Sequence, residues 1–282
     1  MAYTLIEPCC GSSALTLHLL GATRSLLPYQ GNKWRFRHEL TETLETLGFV
    51  GAPARVILTD PGPWGSVVRT VYSPALRQLV IARLRGFARK DPRQVYEELQ
   101  GSEVSQEQTE FAAEFLFLQR LSFSGKAVGT KRGRWSSPGF NKSSAYGLAA
   151  TDCFGAVKPM VPSLIRVLES YAKLRAADMH AERRAALFPS DVKVSELWGP
   201  SVVYIDPPYK GATAYPNGAL DREDVVLLAR CWAAAGAAVV VSEGAPIAEL
   251  EWEATEIYGG RSDASPFRGK QQEWVTRIGA AV

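Results

Sequence analysis

Residues 202 to 209 read Val-Val-Tyr-Ile-Asp-Pro-Pro-Tyr, a short apolar run that meets a carboxylate and then two prolines. No other segment of the chain leaves so few structures open. A run of four uncharged, mostly branched or aromatic residues suits a strand buried on both faces, as in a parallel sheet flanked by helices. Pro207 holds Asp206 in the extended region, Pro208 does the same for Pro207, and neither proline can donate to a sheet ladder. The strand therefore ends at this corner, with Asp206 at its carboxyl end, where open α/β sheets bind their ligands.

The corner has a definite chemistry. The exocyclic amine of a nucleobase is a poor nucleophile because its lone pair is delocalised into the ring. A site that activates it has to draw on the N–H hydrogens and favour a more tetrahedral nitrogen. Asp206 can accept one N–H and the backbone carbonyl of Pro207 the other, while Tyr209 can stack on a base swung out of a duplex. Asp206, Pro207, Pro208 and Tyr209 are thus the candidate catalytic group. The alternative is a rigid strand-to-loop corner with no chemistry.

The remaining pattern suits an α/β protein. Residues 3–7 read as a strand and residues 12–20 as a helix with Ala14, Leu15, Leu17, Leu19 and Leu20 on its apolar positions. Between them, Glu7-Pro8-Cys9-Cys10-Gly11-Ser12-Ser13 is a small-residue turn able to cradle a nucleotide-type ligand. It is not a dinucleotide fingerprint. Glu7 would repel a pyrophosphate and suits a ligand with an ammonium group, as S-adenosylmethionine has. Residues 55–60 form a second strand ending in Asp60, which either holds ribose hydroxyls or opens the Pro-Gly-Pro turn after it; both readings stay open. Residues 74–121 read as helical with a break near 100–106, and 161–186 as helical, followed by a short strand carrying Asp191. Residues 221–235 form a helix opened by Asp221, 237–242 a buried strand, and 253–258 and 272–279 a closing pair. Strands alternating with helices predict a largely parallel sheet.

With 282 residues, 46% of them hydrophobic, the chain can bury the core of one large domain or one domain with an insertion. No apolar run reaches the roughly 18 residues of a membrane span. The N-terminus has no basic, apolar signal, so a cytoplasmic location without a membrane partner is expected. The four cysteines form no Cys-x-x-Cys pair and the three histidines are scattered, so no metal site is expected. Cys9 and Cys10 read as small packing residues.

The net charge of +3 says little; its distribution says more. Residues 115–151 contain no acid, and Arg120, Lys126, Lys131, Arg132, Arg134 and Lys142 alternate with Phe123, Trp135, Phe140, Tyr146 and several glycines. Cations for phosphates, aromatics for unstacked bases and a pliable backbone suit a nucleic-acid-reading insertion too rich in Gly and Ser for a core helix. A solvated basic loop is the alternative. Residues 261–270 either lie over DNA or form a plain hairpin loop.

Together these segments resemble the Dam-type (D12 class) DNA adenine N6-methyltransferases. Residues 6–13 are similar to that family's Glu-Pro-Phe-x-Gly-x-Gly cofactor turn, 57–60 to the strand whose acid holds the cofactor ribose, and 202–209 to the catalytic strand and tetrad. Residues 210–215 resemble the continuation in phage-type members, and 115–125 the start of target recognition, usually Asn-Arg followed by Phe-Asn-Gly. Ser13 stands at the family's second glycine and Ser124 at its asparagine. Pro28-Tyr-Gln-Gly-Asn-Lys33 resembles the Gly-Gly-Lys segment, but follows the cofactor turn instead of preceding it.

The resemblance implies a Rossmann-like S-adenosylmethionine-dependent methyltransferase sheet over residues 1–75 and 187–282, with a helical, basic target-recognition insertion over 76–186. It implies S-adenosylmethionine as cofactor, near Glu7, Pro8, Cys9, Gly11, Ser12, Tyr29, Gln30, Gly31, Lys33, Asp60 and Asp191. It implies double-stranded DNA as partner, contacted by Arg120, Ser124, Lys126, Lys131, Arg132, Arg134 and Lys142, with methyl transfer to N6 of a flipped adenine. A cytosine N4 or RNA amine as target, or a catalytically silent DNA-binding protein, are the alternatives.

Overall fold

The computed structural model describes residues 1–27, 32–123, 126–142, 160–193, 197, 199–207, 220–259 and 271–280. In chain order they form β1 (Thr4–Glu7), α1 (Ala14–Leu19), α2 (Arg37–Thr46), β2 (Arg55–Asp60), α3 (Trp64–Tyr72), α4 (Pro74–Phe87), α5 (Pro92–Leu99) and α6 (Gln108–Leu121). A hairpin of β3 (Gly129–Lys131) and β4 (Arg134–Ser136) follows, then α7 (Met160–Ser170), β5 (Asp178–Arg183), β6 (Ser201–Ile205), α8 (Arg222–Ala234), β7 (Ala238–Glu243), β8 (Glu253–Gly259) and β9 (Gln271–Ile278).

Seven strands share one sheet in the order β5-β2-β1-β6-β7-β9-β8. The pairs from β5 to β7 are parallel, and β9 runs antiparallel between β7 and β8. The fold is therefore doubly wound and Rossmann-like, with helices on both faces. From β1 the chain builds outwards through β2 and β5, then returns to lay β6 on the other side of β1. The strand order reverses between β1 and β6, and ligands bind at such a switch point, outside the carboxyl ends of the strands. Glu7 closes β1 and Asp206 follows β6, so both stand there.

Register explains the apolar runs. Leu5 lies opposite Val56 and Val202, and Ile6 opposite Ile57 and Val203, and residues in register share a face. Leu5, Val202, Tyr204 and Val240 pack on Leu15 and Leu19 of α1 and on Leu40 and Leu44 of α2. On the same face Val56 and Leu58 meet the helical layer of α3, α4, α6 and α7. Ile6, Ile57, Val203, Ile205 and Val241 face Leu228 and Trp232 of α8. Buried on both sides, the central strands have no solvent face to mark with polar residues.

The helical stretch from residue 74 breaks where a capping residue precedes a proline: Ser73-Pro74 opens α4 and Asp91-Pro92 opens α5. Two expectations are corrected. The helix expected over 161–186 ends at Ser170, and residues 178–183 form the edge strand β5, paired with β2. Among its six residues only Ala181 is buried, because the other side chains line an outer edge where charge keeps further strands from adding. The strand expected at Asp191 is a short 3₁₀ turn, Pro189–Asp191. The sheet thus draws a strand from within the stretch read as insertion.

Candidate active site

The turn after β1 is stitched to the end of β2. The Cys10 N–H donates to the Thr59 carbonyl at 2.9 Å, and the Thr59 hydroxyl to the Pro8 carbonyl at 3.0 Å. Asp60 Oδ2 accepts the Gly11 N–H at 3.1 Å while Oδ1 accepts the Gly62 N–H at 2.7 Å. Asp60 therefore opens its own Pro-Gly-Pro turn and pins the β1–α1 turn as well. Burial pushes its carboxyl up to about 6 against the pull of the two N–H donors.

Ser13 takes φ 50° and ψ 47°, the left-handed conformation that a glycine adopts without cost. A serine there therefore follows the backbone path open to a glycine, at the expense of strain, and its Oγ lies 3.1 Å from the Tyr72 hydroxyl. Ser12, Cys9 and Cys10 are buried beside it. Burial, then nearby carboxylates, push both thiols well above their usual range, which keeps them protonated packing residues.

Glu7 is 2% exposed. Its Oε1 accepts the Thr16 backbone N–H at 3.0 Å and also the Thr16 hydroxyl. Burial pushes its carboxyl up to about 7.

Across the switch point, Lys33 Nζ lies 2.8 Å from Asp206 Oδ1 and 3.3 Å from Glu273 Oε1. The Lys33 and Glu273 side chains are 7% and 4% exposed, whereas Asp206 keeps 19%. The acid of the corner is thus held from inside and reachable from outside. Burial raises its carboxyl, the Lys33 ammonium opposing, and burial pushes Glu273 up to about 7. Lys33 arrives on a 3₁₀ turn, Lys33–Phe36, capped by the Asn32 side chain, which accepts the Trp34 N–H at 2.7 Å. Gly259 of β8 has no side chain where the Phe36 ring packs. A segment displaced along the sequence thus reaches the corner from the β8–β9 side. Lys33 was expected beside the cofactor; its ammonium is on the Asp206 carboxylate, in the cavity that the turn after β1 also lines. Glu7, Cys10, Ser12, Ala14, Leu15, Lys33, Tyr204 and Asp206 line a small cavity of about 10 Å³, room for one water.

Pro207 is buried behind Asp206. Pro208, Tyr209, Tyr29, Gln30, Gly31 and Ser124 lie outside the described residues, as do Tyr146 and residues 210–215 and 261–270. Asp191 is engaged elsewhere: its Oδ1 lies 2.9 Å from Arg184 Nη1 and its Oδ2 accepts the Phe188 N–H at 2.9 Å, and both hold its carboxyl low. Three charged residues here escaped the sequence. Glu273 is one, and Glu243 at the end of β7, paired with Arg222 Nη2 at 3.3 Å, accounts for the other two. A signal existed, since Glu273 and Val275 alternate at buried positions of β9 and Glu243 ends a fully buried strand.

The basic segment divides. Residues 115–121 complete α6, inside the stretch read as helical to 121, and are core, with Phe115, Leu116, Phe117 and Leu118 fully buried, so the nucleic-acid-reading character expected from 115 does not begin there. The glycine-rich character that argued against a helix begins only after it. Arg120 sits at the end of α6 with its guanidinium sunk; burial lowers it to about 10, and its Nε has no acceptor among the described residues. Lys126, Lys131, Arg132, Arg134 and Lys142 are exposed. Arg132 and Gly133, both at positive φ, turn the β3–β4 hairpin as a two-residue loop of the type-I′ kind. Arg134 lies 3.6 Å from Glu103 and donates to the Gly101 carbonyl. Trp135, expected to meet bases, is 2% exposed and donates its Nε1–H to Glu114 at 2.7 Å, packed by Phe111 and Phe115. Phe140 packs on Tyr96, which leaves Phe123, at 56%, as the open ring of the three.

Among the described residues no group of His, Cys, Asp and Glu could hold a metal ion, and no helix is long and apolar enough to cross a membrane. No family model matches the chain, and no curated protein matches it. Among solved structures it is similar to the rRNA methyltransferase aviRa from Streptomyces viridochromogenes, with 16% identity and a TM-score of 0.36 over 98% of this chain and 76% of that one.

Proposed function

We propose that this chain is an S-adenosylmethionine-dependent methyltransferase acting on N6 of an adenine swung out of double-stranded DNA. One observation carries the reading: Asp206, the acid of the Asp-Pro-Pro-Tyr corner, stands at the switch point of the sheet beside the turn that follows β1, with a lysine held against it.

The charges around the crevice fit the cofactor. Glu7, Asp60 and Asp206 bring carboxylates to the ends of β1, β2 and β6, and the ammonium of Lys33 is already shared by two of the acids present. A polyphosphate would meet uncompensated negative charge there; a ligand carrying a sulfonium and an ammonium would not. Glu7, Gly11, Ser12 and Asp60 are the residues that would hold it, and when bound it supplies an electrophilic methyl group.

The protein's own part is to prepare the amine. Ionised Asp206 accepts one N–H, the Pro207 carbonyl accepts the other, and the Tyr209 ring covers the base. As the nitrogen gains positive charge, the carboxylate stabilises it and is placed to take the released proton. The exposed cations Lys126, Lys131, Arg132, Arg134 and Lys142, on and beside the hairpin, supply phosphate contacts.

The test is nucleoside mass spectrometry of DNA, and of RNA in parallel, each treated with the protein and methyl-labelled S-adenosylmethionine. Labelled 6-methyladenine is expected; 4-methylcytosine alone, label in RNA alone, or no label overturns the reading. Asp206→Ala is expected to cut methyl transfer at least ~100-fold while leaving the near-ultraviolet circular dichroism unchanged.

A further inference from the structure

We propose that Glu273 is a positioning residue that shares Lys33 with Asp206 and so sets how much of that ammonium's charge the catalytic carboxylate receives. The word catalytic rests on the methyl-transfer reading above; the electrostatic coupling does not.

The geometry is of one cation between two carboxylates. Lys33 Nζ is nearer Asp206 (2.8 Å) than Glu273 (3.3 Å), and Glu273 is the more deeply buried acid, at 4% against 19%. With little water to screen them, each carboxylate feels both the ammonium and the other's charge. Closer to the cation and partly hydrated, Asp206 is the one that stays ionised; a proton entering the trio goes first to Glu273. Glu273 titrates near 7, pushed up by burial. When it is protonated, Lys33 serves Asp206 alone; when it ionises, Asp206 loses part of that support. The acidity of the corner is thereby tuned from β9, a strand that carries none of the motif.

Other groups bear on the trio from every side. Glu7 on β1, Asp60 on β2, Tyr204 on β6, Glu243 on β7 and Cys9 in the turn all interact with Asp206, and Glu243 is offset by Arg222. All are present alike in the wild type and in variants of Lys33 and Glu273, so differences among these report the trio.

The experiment follows the Asp206 carboxyl carbon by NMR through a pH titration of the ¹³C-labelled full chain, assigned with Asp206→Asn. Glu273 takes the first proton, so Glu273→Gln is expected to abolish the inflection near pH 7 that its titration imposes on the Asp206 carboxyl carbon, leaving the single Asp206 midpoint below it. Lys33→Met is expected to raise that midpoint by about one pH unit, a tenfold change in proton affinity, and Lys33→Arg to restore it. An inflection near pH 7 that survives Glu273→Gln, or a midpoint unmoved in Lys33→Met, overturns the proposal. Should Glu273→Gln fail to fold, the wild type decides, because coupled acids give Asp206 a second inflection where Glu273 titrates and a single inflection overturns the coupling. The titration needs no substrate. A coupled trio in a protein that methylates nothing sinks the proposed function alone, and a methylating enzyme with an uncoupled Asp206 sinks the role of Glu273 alone.

Discussion

Glu7 occupies a place where a charge is costly, yet two donors from Thr16 converge on one of its oxygens. Its carboxyl ionises near its ordinary value of 4.5 in the unfolded chain and at about 7 when folded, so the folded state binds the extra proton between those values. Stability contributed by neutral Glu7 is therefore complete below pH 4.5 and is lost as the pH rises towards 7, after which the penalty is constant. Glu7→Gln keeps an acceptor for Thr16 and removes the charge. It is expected to leave stability at pH 4.5 unchanged and to raise it by up to roughly 3 kcal/mol at pH 8, as read from urea denaturation at the two pH values. Ser13 makes a different demand. Its left-handed backbone tolerates glycine but not a β-branched side chain, so Ser13→Val is expected to lower the free energy of unfolding by about 2 kcal/mol. Neither effect could be read from composition: Glu7 was legible as an acid at a strand end, and the partners that bear on its proton affinity are Thr16 of α1 and Asp206, which follows β6.

At the scale of elements, close backbone approach decides more than side-chain chemistry. Gly65, in the first turn of α3, lies against the Asp60 and Glu182 carbonyls at the ends of β2 and β5, and a Cβ there would meet Asp60 O at 2.7 Å. Gly65→Ala is expected to cost about 1–3 kcal/mol by pushing α3 off the sheet, visible as a lower melting temperature. What was legible here followed burial. β2 is found over residues 55–60 as expected, because both faces are covered and the apolar run shows it. Strand β5 was not legible, since an edge strand dressed in Asp178, His180, Glu182 and Arg183 lacks that run. Helix to residue 121 was legible for the same reason as β2, and the basic segment read from 115 starts its exposed charges only beyond that helix.

For the whole molecule, the switch-point architecture followed from alternation of strands and helices, while the acids that the neighbouring strands bring to the site did not. Glu243 and Glu273 come to Asp206 and Lys33 only through the order of the strands, and Arg222 of α8 pairs with Glu243. The same assembly presents the basic hairpin. Lys131 and Arg132 project from it without, among the described residues, the acidic neighbour that Arg134 has in Glu103. If both meet phosphates, the double variant Lys131→Ala, Arg132→Ala is expected to bind DNA more weakly and to flatten the slope of log affinity against log salt by about 2, measured by fluorescence anisotropy; an unchanged slope removes both residues from the interface.

The sheet is completed out of sequence. β8 leaves the ribosome before β9, yet β9 lies between it and β7, so β8 has no neighbour to pair with until the later strand has slotted in. Glu273 travels on that keystone. Of the two carboxylates on the Lys33 ammonium, Asp206 follows β6 and Glu273 comes on β9, so the second joins only in the event that closes the sheet. Maturation of the charge trio and the last step of folding are, by this topology, one event in time.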